Sequence, residues 1–173
     1  QDYFGSGEQF GVEINYITQK QQIGTAHALK QAKEAVGDKF LVLAGDNIIE
    51  PQTISQFMLA RPNAILVKQQ DDVSKYGVVI SCEGTVTGVV EKPVEPVSNL
   101  VNIGIYLLNQ NVFPFLEQEV DLPQALNQMI ARGEIINVQE TQGVWLDAVY
   151  PWDIIELNRE AMGRISPHIS GTI

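Results

Sequence analysis

The sequence predicts an α/β domain, and three observations carry that reading. Apolar residues recur at helical spacing between Gly24 and Val36, then run continuously from Phe40 to Ala44. Strand and helix signals alternate from there to Val67. The middle of the chain changes to period-two strands joined by a tight turn. No stretch rich in Gly, Pro or Ser divides these segments, so residues 1–162 read as one domain and 163–173 as a short tail.

In chain order, Val12 to Thr18 alternates apolar and polar residues, the period of a half-buried strand. Ala26, Leu29, Ala32 and Val36 line one face of a helix, and Gly37 is a suitable stop. The run from Phe40 to Ala44 fits a strand covered on both faces. A helix over about 52–60 and a buried strand at 64–67 continue the alternation, which predicts a parallel sheet layered with helices. Tyr76 to Ser81 and Thr85 to Val90 flank Cys82-Glu83-Gly84, the turn of a hairpin. Asn102 to Leu108 is a further strand, with short helices near 110–117 and 122–132. Ile135 to Glu140 and Val144 to Leu146 read as late strands. Pro151 opens a helix to about Met162, with Asp153 in its first turn. In the tail, Ile169 and Ile173 with small residues between them fit either the opening of a hexapeptide-repeat β-helix or a plain terminus.

A length of 173 residues, 45% hydrophobic and 18% charged, suits one soluble globular domain. No run approaches the roughly 18 apolar residues of a membrane span, so no membrane partner is expected. The lone Cys82 points to a reducing, cytoplasmic setting. The net charge of −10, with eleven scattered basic residues, excludes a phosphate-backbone partner such as nucleic acid. An acidic protein that binds a nucleotide needs a divalent cation between carboxylates and phosphates.

Four segments carry residue types suited to that chemistry. Leu41-Val-Leu-Ala-Gly45-Asp46-Asn47 sets a carboxylate at the end of a buried strand, where α/β sheets hold ligands. Asp46 there suits Mg²⁺ and suits a turn or helix cap equally well. Gln19 to Ala26 leads into a helix whose amides can face an anion or a base edge. Its plainer reading is an ordinary helix start capped by Thr25. Val89-Val90-Glu91-Lys92-Pro93 joins an acceptor for sugar hydroxyls to a cation for a phosphate, or is simply an exposed charged turn. Asp147, after Trp145-Leu146, is a second metal carboxylate or a loop acid. His27 and His168 lack zinc spacing, no Ser–His–Asp or Cys–His set is visible, and no Walker-type loop is present.

The order of these motifs is more specific than any one of them. A Gln…Gly-Thr-Ala helix start, then Gly-Asp-Asn, Tyr-Gly-Val-Val, Glu-Lys-Pro, Asn-x-Gly-Ile-Tyr and Trp-x-Asp resembles the sugar-1-phosphate nucleotidylyltransferase family from about Tyr3 to Asn158. Trp145 to Asn158 and the tail look most like archaeal-type members, in which a left-handed β-helix follows. The resemblance implies a Rossmann-like nucleotidyltransferase fold with a mixed, mainly parallel sheet. It implies Mg²⁺ held by Asp46 and Asp147, a nucleotide base near Gln19, Gly24 and Thr25, and a sugar lined by Gly77, Glu91 and Asn102. Lys92 would pair with the sugar phosphate. The substrates implied are UTP or dTTP with glucose-1-phosphate or N-acetylglucosamine-1-phosphate, and pyrophosphate leaves.

The family pattern also begins with a strand and a Gly-rich loop containing Arg, neither of which lies within residues 1–173. Without them the expected consequences are an exposed apolar surface, unpaired strand edges, association with a second copy, and little or no turnover by this stretch alone. Two other readings compete: a non-catalytic relative that binds nucleotide sugars, and a transferase for CMP or GDP sugars. A binding-only relative would be expected to lose its metal acids first, yet Asp46 and Asp147 are both present.

Overall fold

The computed structural model describes residues 1–95, 97–148 and 150–163. After an exposed N-terminal segment, α1 (Thr25–Gln31) runs into a 3-10 turn (Lys33–Ala35) and β1 (Lys39–Leu43). Then come β2 (Asn47–Ile49), α2 (Pro51–Phe57), β3 (Ala64–Gln69), and the hairpin of β4 (Gly77–Cys82) and β5 (Thr85–Glu91). β6 (Leu100–Asn109) leads through a 3-10 helix (Gln110–Leu116) to α3 (Leu122–Ala131), β7 (Asn137–Glu140), β8 (Trp145–Asp147) and α4 (Asp153–Gly163).

Six strands form one mixed sheet in the order β1-β6-β3-β7-β5-β4, and β4 also touches β6 through Val78 and Val101. The mixed character matches expectation, but neighbouring strands are mostly antiparallel, and only β3 and β7 lie side by side in parallel. The physical reason is β6. It slots between β1 and β3, which run the same way and would otherwise be parallel neighbours. β2 and β8 pair antiparallel in a separate two-stranded sheet, with Asn47 opposite Asp147.

Each face of the main sheet buries its own cluster. On one side Ile65, Val67, Tyr106 and Leu108 pack against α1, the 3-10 helix and α3 through Leu29, Phe113, Leu126 and Met129. On the other, Leu66, Ile103, Ile105 and Leu107 pack against Phe57 of α2 and Trp145 of β8. The even-numbered residues of β6 share the first face: Leu108 and Tyr106 lie in the core, and Gly104 and Asn102 continue beyond it. That strand therefore carries the core outward into a cleft.

The structure differs from expectation in the N-terminal segment. Val12 to Thr18 is not a strand; it is tied back to the turn before it, with the Val12 and Ile14 N–H groups donating to the Gly7 and Ser6 carbonyls and Tyr16 Oη to the Gly5 carbonyl. Alternation specifies a strand only where a second strand takes its backbone groups, and among the described residues no strand pairs with it. The predicted helix end near Val36 is a 3-10 turn, because α1 stops at Gln31. The possible β-helix opening at 165–173 lies outside the described residues.

Candidate active site

A cleft of about 660 Å³ opens beside the outer part of β6. Five of the nine residues singled out from the sequence line it: Thr25, Gly77, Glu91, Lys92 and Asn102. Gly77 and Glu91 are register partners on β4 and β5. A Cβ on Gly77 would lie 2.7 Å from Glu91 Oε2, so the glycine is what lets the carboxylate fold across β4 into the cleft. Lys92 follows in the left-handed region at φ 43°, and its N–H donates to the Tyr76 carbonyl at 3.1 Å. This backbone turn, costly for a residue with a Cβ, sets Lys92 into the cleft wall. Among the described residues its ammonium has no hydrogen bond or ion pair.

Asn102 is held at both ends. Its amide donates to Tyr106 Oη at 2.8 Å, and its carbonyl oxygen accepts the Gly104 N–H at 3.1 Å. Gly104 adopts φ 74°, which permits this tight local bond. Burial raises the Tyr106 hydroxyl to about 12, with the Asn102 bond opposing and Glu91 adding, so it stays neutral at physiological pH.

Asp46 and Asp147 meet through the β2–β8 pair. Asp46 is an exposed turn residue whose carbonyl accepts the Ala148 N–H at 3.2 Å, and Asp147 ends β8. Asp147 Oδ1 accepts a hydrogen bond from Tyr76 Oη at 3.1 Å. Trp145 packs edge-on to Tyr76 with ring centroids 5.4 Å apart, and its Nε1 donates to Asn47 Oδ1 at 3.0 Å. Burial pushes the Asp147 carboxyl above its ordinary value; the Tyr76 bond opposes that, and the charges of Asp153 and Asp46 add to it. A divalent cation fits this donor set. The Asp46 charge adds to the upward push on the Asp147 carboxyl, so a cation between the two would relieve it, and Mg²⁺ takes one or two carboxylates with waters and substrate phosphates rather than a closed protein cage. No cluster of three or more His, Cys, Asp or Glu able to hold a metal is found among the described residues, so any such cage is lacking there.

The third predicted group is only partly gathered. Thr25 lines the cleft, whereas Gln19 and Gly24 do not. Gln19 Nε2 bridges the Gly24 carbonyl at 3.1 Å and His27 Nδ1 at 2.9 Å, bracing the turn into α1. Gly24 lies against the start of α3: a Cβ there would be 2.3 Å from the Val120 carbonyl oxygen. Thr25 caps α3 rather than its own helix, since its hydroxyl accepts the Leu122 N–H at 2.9 Å.

Sequence reasoning assigned no role to Tyr76, Tyr106 or Asp121. Tyr106 shares the β6 face with Asn102 at a spacing of four, a signal that period two provides. Asp121 and Gln124 form a capping box, legible as Asp-x-x-Gln with Pro123 inside. Nothing in the local sequence announces the contact from Tyr76 to Asp147.

A family model described as nucleotidyl transferase matches residues 1–162. The chain belongs to the nucleotidyl transferase family. Among relatives of this transferase chain, a protein of Methanococcus maripaludis strain C7 named bifunctional protein GlmU is 36% identical over 93% of the chain and 41% of its own length. The low-salt glycan biosynthesis nucleotidyltransferase Agl11 of Haloferax volcanii is 32% identical over 100% of the chain and 52% of its own length. The chain thus spans about half the length of the curated relatives it matches. A solved Bacillus anthracis structure, named for glucose-1-phosphate thymidylyltransferase and holding sucrose, superposes with a TM-score of 0.82 at 28% identity, covering 97% of this chain and 72% of that one. The α/β fold of the transferase chain is that of this neighbour. Among the described residues no helix is long and apolar enough to cross a membrane.

Proposed function

We propose that this domain transfers a nucleotidyl group from UTP or dTTP to a sugar-1-phosphate, glucose-1-phosphate or N-acetylglucosamine-1-phosphate, releasing pyrophosphate. The observation that carries this reading is the placement of the Glu91–Lys92 turn in one cleft with Asn102, while Tyr76 in the same cleft wall contacts Asp147 beside Asp46. The names of the relatives and of the solved neighbour point the same way.

The residues divide the work. Glu91 accepts hydrogen bonds from sugar hydroxyls, and Asn102, locked at both ends, holds the sugar face opposite. Lys92 pairs with the sugar phosphate as a point charge and turns one of its oxygens toward the nucleotide α-phosphorus. Thr25, braced by Gln19 and Gly24, borders the base side. No protein nucleophile is required, because positioning and charge neutralisation dominate phosphoryl transfer. Mg²⁺ held by Asp46 and Asp147 would supply neutralisation of the charge on the phosphates. Residues 1–173 include no Gly-rich Arg loop to cradle the triphosphate, so this stretch alone is expected to turn over slowly or not at all. The test is Mg²⁺-dependent pyrophosphorolysis by the complete protein across a panel of UDP- and dTDP-sugars. Turnover of at least one is the expected result; turnover of none rejects the proposal.

A further inference from the structure

We infer that Tyr76 is a positioning residue for the acid pair: its hydroxyl fixes the Asp147 carboxylate in the orientation that binds a divalent cation together with Asp46. The inference rests on the proposed metal role of those two acids and adds a residue to it. Tyr76 is the last residue before β4 and lines both the main cleft and a smaller hollow of about 190 Å³ that also contains Asp147 and Asp153. Its Oη donates to Asp147 Oδ1 at 3.1 Å, occupying one carboxylate oxygen and stopping the side chain from rotating.

Tyr76 is itself fixed from two other directions. Its ring meets Trp145 edge-to-face at 5.4 Å, and Trp145 is tied by the bond from Nε1 to Asn47 Oδ1 at 3.0 Å. Asn47 lies opposite Asp147 in the β2–β8 register and directly follows Asp46, so the contacts form a closed loop around the two acids. The Tyr76 carbonyl accepts the Lys92 N–H at 3.1 Å, which ties the same residue to the turn that carries the cleft's free ammonium. Without this donor the half-buried carboxylate loses its fixed direction. Outer partners of this kind typically change metal affinity by about 10–100-fold when removed.

The experiment is direct binding of Mn²⁺ to the chain, read from the EPR signal of the free ion, for wild type, Tyr76→Phe, Asp147→Asn and Val78→Ala, each with its melting midpoint. Phe keeps the ring against Trp145 and removes only the hydroxyl. Val78→Ala weakens the core of the same strand and leaves the hydroxyl in place. The expected result is a Kd about tenfold weaker for Tyr76→Phe with a near-native melting midpoint, and a lower melting midpoint with native Kd for Val78→Ala. Native Kd in Tyr76→Phe, with binding lost in Asp147→Asn, overturns the positioning role and leaves the metal acids standing. Equal loss of affinity in Tyr76→Phe and Val78→Ala also overturns it, since general loosening would then be the cause. Native binding by Asp147→Asn, or no binding by wild type, rejects the metal acids and the inference together.

Discussion

Gly77 is the residue where local geometry and chemistry are most tightly joined. A methyl group there meets the far end of the Glu91 side chain at 2.7 Å, and the carboxylate, which is flexible, is what must move. Gly77→Ala is therefore expected to leave stability nearly unchanged while displacing Glu91, the proposed sugar acceptor. We expect kcat/KM for the sugar phosphate to fall by roughly tenfold or more in the complete protein, given how steeply rate depends on placement. An unchanged KM would show that Glu91 does not reach the sugar. Asp147 makes the opposite trade. Its carboxyl is pushed above the ordinary value, chiefly by burial, so the fold favours the protonated form. The stability tied to that form is complete at low pH and is lost as pH rises past the ordinary value of 3.8 and through the higher folded value. Asp147→Asn removes the penalty and retains an oxygen for the Tyr76 hydroxyl. Without divalent ions at pH 7 it should melt higher than wild type, by no more than about 2–4 °C, because a partly exposed charge is worth under about 1 kcal/mol. A lower melting point would mean that the charge is stabilising in place.

The corner where α1 meets α3 is built by short contacts across almost a hundred residues. Thr25 accepts the Leu122 N–H, and the Ala26 N–H donates to the Val120 carbonyl at 3.0 Å. Thr25→Ala should cost about 1 kcal/mol, the usual loss for a helix cap, and lower the melting point by roughly 2–4 °C. Thr25→Ser should restore most of it. Gly24→Ala should cost more, about 1–3 kcal/mol, because a Cβ there meets a backbone oxygen that cannot swing aside. Equal melting of both variants with wild type would remove this corner from the account of stability. The same corner shows where the sequence is legible. Helices, the strands β1, β3 and β6, and the hairpin with positive φ at Glu83 and Gly84 all follow from local periodicity and turn chemistry, although β1, expected to be covered on both faces, is an edge strand in which only Phe40 is buried. Asp46 reads as a strand-end carboxylate and Asp147 as a second metal carboxylate or a loop acid, but their meeting depends on β2, three residues with no periodic signal, pairing with β8. Thr25 looked like a cap and is one, for a helix that local sequence cannot point to. The parallel sheet read from strand–helix alternation is interrupted because no local pattern says that β6 will insert between β1 and β3.

At the scale of the whole molecule, charge decides how ligands arrive. The chain carries −10 at neutral pH, and both proposed substrates are polyanions, so their approach to a cleft lined by Glu91 and Asp121 is opposed by Coulomb repulsion. Lys75 and Lys92 are the cations lining that cleft, and Lys75 also lies 5.3 Å from the Tyr150 ring. Two ammonium groups offset part of the phosphate charge, and a cation on the acids would offset more. Binding of a nucleotide sugar should therefore be linked to the metal. A UDP- or dTDP-sugar in EDTA should scarcely move the melting point of the complete protein. With Mg²⁺, the same ligand at a hundred times its Kd should add about 2.7 kcal/mol, or roughly 5–11 °C in a domain of this size. Asp46→Asn and Asp147→Asn should each abolish the difference between Mg²⁺ and EDTA, whereas Thr25→Ser should keep it. A shift of equal size in EDTA would show that the two lysines suffice, and the acid pair would then need another role.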